Sequence, residues 1–301
     1  MALNIWRFTD SKPGHDSQSI GLCEAIGRLT TVSRLDIQAN STFGCFGNFL
    51  LNKFPAGKTF SDPDLIIGAG HGTHLSMLAA RKARKGKIIV LMKPSLPLSL
   101  FDYCIIPEHD HISKKNNIIT TIGALNPIQF NKNKSPDCGL ILLGGLSKHY
   151  QWDYESIDSQ ISKIINDDPN IKWAIADSPR TPETTLTKIR NKADKNLEIL
   201  DYSETSATAI REYIVNAKTI WITQDSVSMI YESLSSGAAV GLIELQNKNS
   251  TKMKNTISAL INDKKLTPFS KWDKCRSLPP GSSDFNEANR CARLLLEKGS
   301  F

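Results

Sequence analysis

The chain has 301 residues, of which 40% are hydrophobic and 22% are charged, so it falls in the ordinary globular range and is long enough for two domains. Its formal charge of +7 favours an anionic partner. The basic residues form no dense block interleaved with aromatic residues, which disfavours nucleic acid; an acidic lipid or the phosphates of a small ligand suit the charge as well.

The start of the chain and its cysteines exclude further classes of protein. The first ten residues, MALNIWRFTD, turn polar too early for a signal peptide, and nowhere do about 18 apolar residues run together. We therefore expect a soluble, cytoplasmic protein. The six cysteines contain no CxxC pair, so neither a zinc ribbon nor a redox motif is present.

In the first half, short runs rich in Ile, Val and Leu alternate with helical periodicity, which predicts a parallel sheet with crossover helices. The predicted strands lie near 2–9, 32–37, 64–68, 87–92, 103–107 and 118–122. The helix after the first strand has Leu22, Ala25, Ile26 and Leu29 at helical spacing, so one face packs on the sheet. The polar stretch 127–137 carries two prolines and is the best linker candidate.

The second half repeats this alternation. Strands are predicted near 139–144, 172–177, 197–202, 219–223 and 238–243, and helices at 154–165, 182–192 and 206–217. An Asp284-x-x-Glu287 pattern resembles a capping box and opens a last helix. We expect an N-terminal α/β domain at 1–130, a second at 131–283 with a cleft between them, and a C-terminal helix at 284–301 that crosses back to the first domain.

Open α/β sheets bind ligands at the carboxyl ends of their strands, so the loops after the strands hold the candidate site residues. The loop TDSKPGHD after the first strand supplies Ser11, Lys12, Gly14, His15 and Asp16.

Two later loops of the first half supply Gly70 and Lys93. The stretch GAGHGTH resembles a dinucleotide-binding fingerprint, but Thr73 stands where the last glycine is needed. The acidic residue expected about 20 positions later is missing too. A nicotinamide cofactor is therefore not expected.

In the second half, Gly144 and Gly145 end a strand and would let a diphosphate approach the backbone, while Ser147 and Lys148 follow. A second loop places Arg180 beside Thr181, just before a helix that starts with proline.

The stretch WITQDSVSMIYESLSSGAAVG joins a strand to a short helix. If Asp225 or Ser226 caps this helix, the amides of its first turn form a natural phosphate site. Glu232 lies on a different face of the helix from its apolar residues, so its carboxylate would accept hydrogen bonds from the hydroxyls of a ribose. Gly237 would end the helix in a left-handed turn. The alternative is a capped core helix with a solvated glutamate.

Two histidine clusters offer a metal alternative. Glu108-His109-Asp110-His111 and His71-x-x-His74 carry ligand types that suit zinc or manganese. Polar loops after strands often have this composition without an ion, so we predict no metal.

These segments resemble the mitochondrial-fission Elm-type family, whose bacterial members carry the description glycosyltransferase. The matching segments span both halves, at 10–22, 64–74, 90–110, 121–126, 142–153, 178–182 and 223–242. The loop LSKHY departs from the expected PSKHY, and SPRTP has one arginine where two are expected. The resemblance implies a GT-B fold, with two Rossmann-like domains whose parallel sheets face a central cleft, the nucleotide-sugar donor on the C-terminal domain and the acceptor on the N-terminal one.

On this reading the protein is a metal-independent glycosyltransferase that uses a nucleotide-diphosphate sugar, needs no further cofactor, and acts in envelope polysaccharide or lipid-linked glycan synthesis. His15 is the candidate base, because imidazole gives and takes protons near neutral pH, and Asp16 is the alternative. A hydrolysing nucleotide-sugar 2-epimerase shares the fold. A non-catalytic adaptor, the role suggested by the family's plant members, is the third hypothesis.

An apolar stretch predicts contact with an anionic membrane on its inner face. Phe43, Phe46, Leu50 and Phe54 recur at helical spacing beside lysines. The alternative, at least equally favoured, is a helix that packs on the N-terminal sheet.

Overall fold

The computed structural model describes residues 2–39, 54, 59–110, 112–113, 115–192, 197–248, 251–283 and 285–299. The chain divides into two compact units. Unit 1 comprises Met1–Pro127 and Asn286–Phe301, and unit 2 comprises Ile128–Phe285.

The described part of the chain alternates strands and helices in the order expected for parallel α/β units. The strands are β1 Leu3–Thr9, β2 Val32–Gln38, β3 Leu65–Ala69, β4 Lys87–Leu91, β5 Tyr103–Pro107, β6 Ile118–Thr121, β7 Ser135–Leu142, β8 Lys172–Ala176, β9 Leu197–Leu200, β10 Ala217–Thr223, β11 Ala239–Ile243 and β12 Thr267–Pro268. The helices are α1 Pro13–Leu29, α2 His74–Arg84, α3 Tyr154–Asp167, α4 Glu183–Lys192, α5 Ala207–Asn216, α6 Val227–Ser236, α7 Thr251–Asn262, α8 Phe269–Cys275 and α9 Glu287–Lys298.

Unit 1 is built on a six-stranded parallel sheet in the order β2-β1-β3-β4-β5-β6. All five residues of β3, LIIGA, are buried, as expected for a strand covered on both faces. The chain runs from β1 to β2 in one direction and resumes on the other side of β1 at β3. The carboxyl ends of β1 and β3 therefore form the switch point of this sheet.

Two apolar cores cover the two faces of this sheet. On one face Leu22 and Ile26 of α1 pack with Cys291 and Leu295 of α9. On the other face Met77 of α2 belongs to the core that also contains Trp6, Phe8, Phe54 and Phe101. The sheet is thus the middle layer of three.

Unit 2 repeats the architecture with a six-stranded parallel sheet in the order β12-β11-β10-β7-β8-β9. Its switch point lies between β7 and β10, because β8 and β9 extend the sheet on one side of β7 and β11 and β12 extend it beyond β10. Ile157, Ile161 and Ile164 form the buried stripe of α3, and Ile230 and Tyr231 are buried on α6.

The fold confirms the predicted α/β class and the eleven predicted strands, with shifted ends. The strand β7 starts at Ser135, inside the predicted linker, because its first residue pairs with Ala217 of β10. The helices α2, α7 and α8 and the short strand β12 were not predicted.

Two local predictions about helix surfaces and ends were wrong. Leu29, predicted to pack on the sheet, is 43% exposed at the end of α1. The N-cap of α9 is Asn286, whose side chain accepts from the amide of Asn289. Glu287 does not close a capping box, since its carboxylate accepts from the amide of Ile122 and pairs with Arg290.

Most of the predicted membrane-contact stretch lies outside the described residues. Phe54 is described, and its ring packs 5.5 Å from Trp6 and 5.8 Å from Phe8, measured between ring centroids. At this residue the core alternative is correct. In the part of the chain that the structure describes, no helix combines the length and the apolar character needed to cross a membrane.

Candidate functional site

The candidate residues gather at the two switch points. In unit 1 the loops after β1 and β3 are neighbours, and in unit 2 the loop after β7 lies between those after β8 and β10.

In unit 1 the side chain of His15 contacts Asp10. The imidazole Nδ1 lies 3.0 Å from both carboxylate oxygens. The side chains of His15 and Asp10 are 18% and 10% exposed. His15 lies in the first turn of α1. Pro13 begins this helix, at a position where a backbone N–H would have no partner within the helix.

The charge of Asp10 sets the tautomer of His15. Burial acts to raise the pKa of Asp10, but the hydrogen bond and charge of His15, together with Lys12, hold that pKa below its usual value. Asp10 is therefore ionised at neutral pH and can only accept, so Nδ1–H donates to it. The Nε2 lone pair, which makes no hydrogen bond to the described residues, remains able to accept a proton.

Gly70 makes room for this imidazole. A Cβ on Gly70 would overlap the ring of His15, and the backbone there has φ +79°, a conformation that favours glycine. Gly72, two residues later, faces the carboxylate of Asp10, with Oδ2 3.1 Å from where its Cβ would stand. The loops after β1 and β3 thus hold one cluster.

Asp16, the alternative base, contacts Arg7 and Thr9, and its role as a base stays a prediction. Its Oδ1 lies 3.0 Å from Nη1 of buried Arg7 and accepts from the Thr9 hydroxyl. Arg7 also pairs with Asp36 at 2.8 Å. Burial acts to lower the pKa of Arg7, but these carboxylates raise it above its usual value. Asp16 is thus bound in an ion-pair network.

The other candidates of unit 1 lie at the rim of this cluster or apart from it. Ser11 has φ +59° and donates its hydroxyl to Gln38 at 3.1 Å. Lys12 places Nζ 3.6 Å from Asp10, and Gly14 is exposed with nothing near its Cβ position. Lys93 is exposed after β4.

In unit 2 both predicted glycines lie at the centre of three loops. The amide of Gly144 donates to Thr223 Oγ1 at 2.7 Å, and its carbonyl accepts from Ser178 and Thr181. The amide of Gly145 donates to Asp225 Oδ2 at 2.9 Å. These amides therefore hold the loops together and are not left to contact a diphosphate.

The close packing of the three loops explains why residues 144 and 145 are both glycine. A Cβ on Gly144 would meet the carboxylate of Asp225, and one on Gly145 would meet the carbonyl of Arg180. Three loops from different strands approach closely enough that no side chain fits between them.

Asp225 and Arg180 form an ion pair at this junction, with Nη1 2.9 Å from Oδ2. The side chain of Asp225 is fully buried, while that of Arg180 is 44% exposed. Among the described contacts only Nη1 of Arg180 is used, on Asp225 and on the Leu146 carbonyl, so Nε and Nη2 can meet a ligand.

The remaining candidates in these loops differ in role. Ser147 accepts from the amides of His149 and Tyr150 through its hydroxyl, which shapes the loop after β7. Lys148 is exposed. Thr181 is buried and fastens the loop after β8 to the end of β7.

The helix α6 begins without the side-chain cap that the sequence suggests. Ser226 is its N-cap residue but makes no capping hydrogen bond, and Asp225 faces Gly145 and Arg180 instead. Its first turn carries no acidic residue, so its amides remain suited to an anion. Gly237 ends the helix with φ +78°, as predicted. Glu232 is partly buried on the second turn, and its ribose role stays a prediction.

The metal alternative gains no geometric support. His74 is 1% exposed against the ring of Phe101, whereas His71 is exposed. Within the described ranges no group of three or more His, Cys, Asp or Glu side chains could hold a metal ion. The side chains of His109 and His111 are not among those described, so the absence of a metal stays a prediction.

The sequence reasoning missed three residues that complete these clusters. Asp10 lies in the loop TDSKPGHD, and its place five residues before His15 is the local signal for the pair. Thr223 and Ser178 end or follow buried strands, but nothing local marks them as partners of Gly144.

Comparison with known proteins supplies a family and a fold. The family model for mitochondrial fission ELM1 matches residues 13–298. An uncharacterised protein of Rickettsia prowazekii (strain Madrid E) is 27% identical over 352 aligned positions, covering 97% of this chain and 98% of the relative.

Two solved structures share the fold at low identity. UDP-GlcNAc 2-epimerase from Neisseria meningitidis, bound to UDP-GlcNAc, is similar with a TM-score of 0.52 and 10% identity, over 99% of this chain and 100% of that chain. A glycosyltransferase from Rickettsia africae ESF-5 is similar with a TM-score of 0.50 and 12% identity, over 98% and 93%. The predicted GT-B-like class is confirmed.

Proposed function

The chain belongs to the mitochondrial fission ELM1 family, and on this premise we propose that it is a metal-independent glycosyltransferase with a nucleotide-diphosphate sugar as donor. The observation that carries the proposal is the Asp10–His15 pair at the switch point of unit 1. Glycosyl transfer needs a base that removes a proton from the acceptor hydroxyl. Nε2 of His15 would accept that proton, and Asp10 would stabilise the imidazolium that forms.

The donor is assigned to unit 2. The departing diphosphate needs amides and cations when no divalent ion assists, and the first turn of α6, Lys148 and the free nitrogens of Arg180 would supply them. Glu232 would accept the ribose hydroxyls. The bound UDP-GlcNAc of the Neisseria protein motivates a uridine nucleotide as the first donor to test.

A nucleotide panel tests the proposal directly. A nucleoside diphosphate at 100 times its dissociation constant should add roughly 2.7 kcal/mol to the free energy of unfolding. Binding and transfer should persist in excess chelator. Glu232→Ala should weaken nucleotide binding far more than pyrophosphate binding, and equal losses would remove the ribose role.

The same assay separates the alternative functions. Epimerisation or hydrolysis of UDP-GlcNAc without transfer would favour the epimerase. Nucleotide binding without turnover for any glycan acceptor would favour the adaptor. Activity abolished by chelation and restored by manganese would overturn the metal-independent mechanism.

The acceptor is assigned to an envelope polysaccharide or a lipid-linked glycan at the inner face of the membrane. The helical spacing of the apolar residues Phe43, Phe46 and Leu50 in the sequence supports this assignment. Wild type should float with anionic liposomes, and salt or the double change Phe46→Ser and Phe49→Ser should release it without unfolding. Failure of wild type to bind would remove the membrane role and leave the donor assignment untouched.

A further inference from the structure

Unit 2 contains a cavity at the amino ends of β7, β8, β10 and β11. It has a volume of about 600 Å³, in the range typical of small-molecule sites. The loops around Gly144 lie at the opposite, carboxyl ends of the same strands. A strand of five residues spans about 17 Å, so the two places are distinct.

The wall of this cavity is aromatic and tightly positioned. Trp173, Trp221 and Trp272 line it together with Phe130. A Cβ on Gly139 would overlap the ring of Trp173, and one on Gly241 would overlap that of Trp221. Glycine at both positions lets the indoles lie flat against neighbouring strands, which gives a fixed apolar surface.

The charged groups that line the cavity are mainly cations. They are Lys132, Lys134, Lys218 and Arg276, against the carboxylates of Asp167 and Asp168. Arg276 is already neutralised, because it pairs with Asp167 at 3.1 Å and with Asp273 at 2.9 Å. The positive charge that remains is on the lysines.

Lys134 is the partly buried member of this group. Its Nζ donates to the Val215 carbonyl at 3.0 Å and to Ser236 Oγ at 3.3 Å, which uses two of its three N–H donors. No carboxylate pairs with it among the described residues, and burial lowers its pKa to about 8. An ammonium held away from water without a counter-charge is costly, and an anion in the cavity would remove that cost.

Trp173 supplies a second unsatisfied donor. Its side chain is almost fully buried, and Nε1 has no hydrogen-bond partner among the described residues. Buried polar groups are nearly always paired. Trp173 lines both this cavity and a neighbouring one beside Leu197 and Tyr213, so a ligand in either would offer the acceptor that Nε1 lacks.

We propose that this cavity binds a phosphate monoester carried on an apolar body. A phosphate monoester bears a charge of about −1.5 to −2 at neutral pH and presents three acceptor oxygens, which suits unpaired lysines. The apolar body lies against the tryptophan wall. This site is separate from the nucleotide-sugar site proposed above and does not depend on it.

Calorimetry on the full chain tests the proposal with 1-naphthyl phosphate, 1-naphthol and inorganic phosphate. We expect 1-naphthyl phosphate to bind at least tenfold more tightly than either fragment, and to change tryptophan fluorescence, since three of the five tryptophans line the cavity. Lys134→Met should weaken binding at least tenfold. Lys172→Met is the matched control, because that exposed lysine lies 3.7 Å from Asp137 and does not line the cavity.

A second variant keeps the test decisive if Lys134→Met does not fold. The double change Lys132→Met and Lys218→Met alters exposed side chains only and should still weaken binding several-fold. Inorganic phosphate binding as tightly as 1-naphthyl phosphate, or binding unchanged in all lysine variants, would overturn the proposal. So would loss of binding in Arg180→Ala, since that result would place the ligand at the opposite end of the sheet.

Discussion

His15 and Asp10 are joined through Nδ1, which lies 3.0 Å from each carboxylate oxygen of Asp10. The relationship fixes both the ring orientation and the tautomer of the histidine. On the proposed mechanism, Asp10 is a positioning residue that acts through His15.

The first prediction concerns this pair. Asp10→Asn should lower kcat about 100-fold or more and leave the KM for the donor nearly unchanged, because the amide no longer enforces the reactive tautomer. Steady-state kinetics measure both constants. Asp62→Asn, at an exposed carboxylate that pairs with Arg84, is the control and should match wild type. A rise in KM with unchanged kcat would contradict the positioning role.

The second prediction compares two glycines near the same histidine. Gly70→Ala should displace the His15 ring, reduce turnover at least tenfold and cost about 1–2 kcal/mol of stability, because an L-residue is strained at φ +79°. Gly14→Ala, in the first turn of α1 with open space around its Cβ position, should retain turnover and stabilise the protein by up to about 1 kcal/mol. Thermal unfolding and kinetics on both variants decide the matter. If both variants changed turnover and stability equally, the position of the His15 ring would not depend on glycine at position 70.

The third prediction concerns the junction of unit 2. Asp225→Ala should lower the free energy of unfolding by about 1–3 kcal/mol, because the buried amide of Gly145 loses its acceptor and Arg180 loses its partner. Glu155→Ala removes a well-exposed pair with Lys188 and should cost less than about 1 kcal/mol. Denaturant titration measures both. A similar cost for the two variants would show that Asp225 does not fasten the loops.

The fourth prediction is a pH dependence. Burial, aided by the charge of His71, lowers the pKa of His74 to about 4, below the ordinary value near 6.5. Between these two pH values the unfolded chain binds a proton that the folded protein does not, so the free energy of unfolding falls as the pH drops from about 6.5 to about 4. His74→Gln should flatten that part of the profile, and exposed His71→Gln should largely retain it. If the free energy of unfolding changed with pH in the same way in wild type and in His74→Gln, His74 would not be the source of this pH dependence.

The strands and the position of the site could be predicted because their signals are local. Buried β3 reads LIIGA, and parallel order places the loop after each strand at one edge of the sheet. The contact between His15 and Asp10 is also local, since only five residues separate them. By contrast, Arg180 and Asp225 lie 45 residues apart and meet only because β8 and β10 flank β7. No spacing in the sequence encodes that pair.

For the same reason the sequence could not show how the glycines are used. The pair Gly144-Gly145 indicated a backbone open to phosphate, but the two amides donate to Thr223 at the end of β10 and to Asp225 in the loop after it. The start of β7 was missed because Ser135 and Pro136 are turn-forming residues, and only their partner strand decides their conformation.

The helix α9 completes the core of unit 1 from the far end of the chain. Its Cys291, Ala292 and Leu295 are fully buried against α1, yet they follow the whole of unit 2 in the sequence. A ribosome that adds roughly 5–20 residues per second reaches α9 about 10–30 seconds after it has finished Pro127. During that interval the face of α1 that α9 covers has no partner, and unit 2, a continuous segment, is synthesised in full before α9 follows it. The unit whose strands are all synthesised first is therefore the one whose core is completed last.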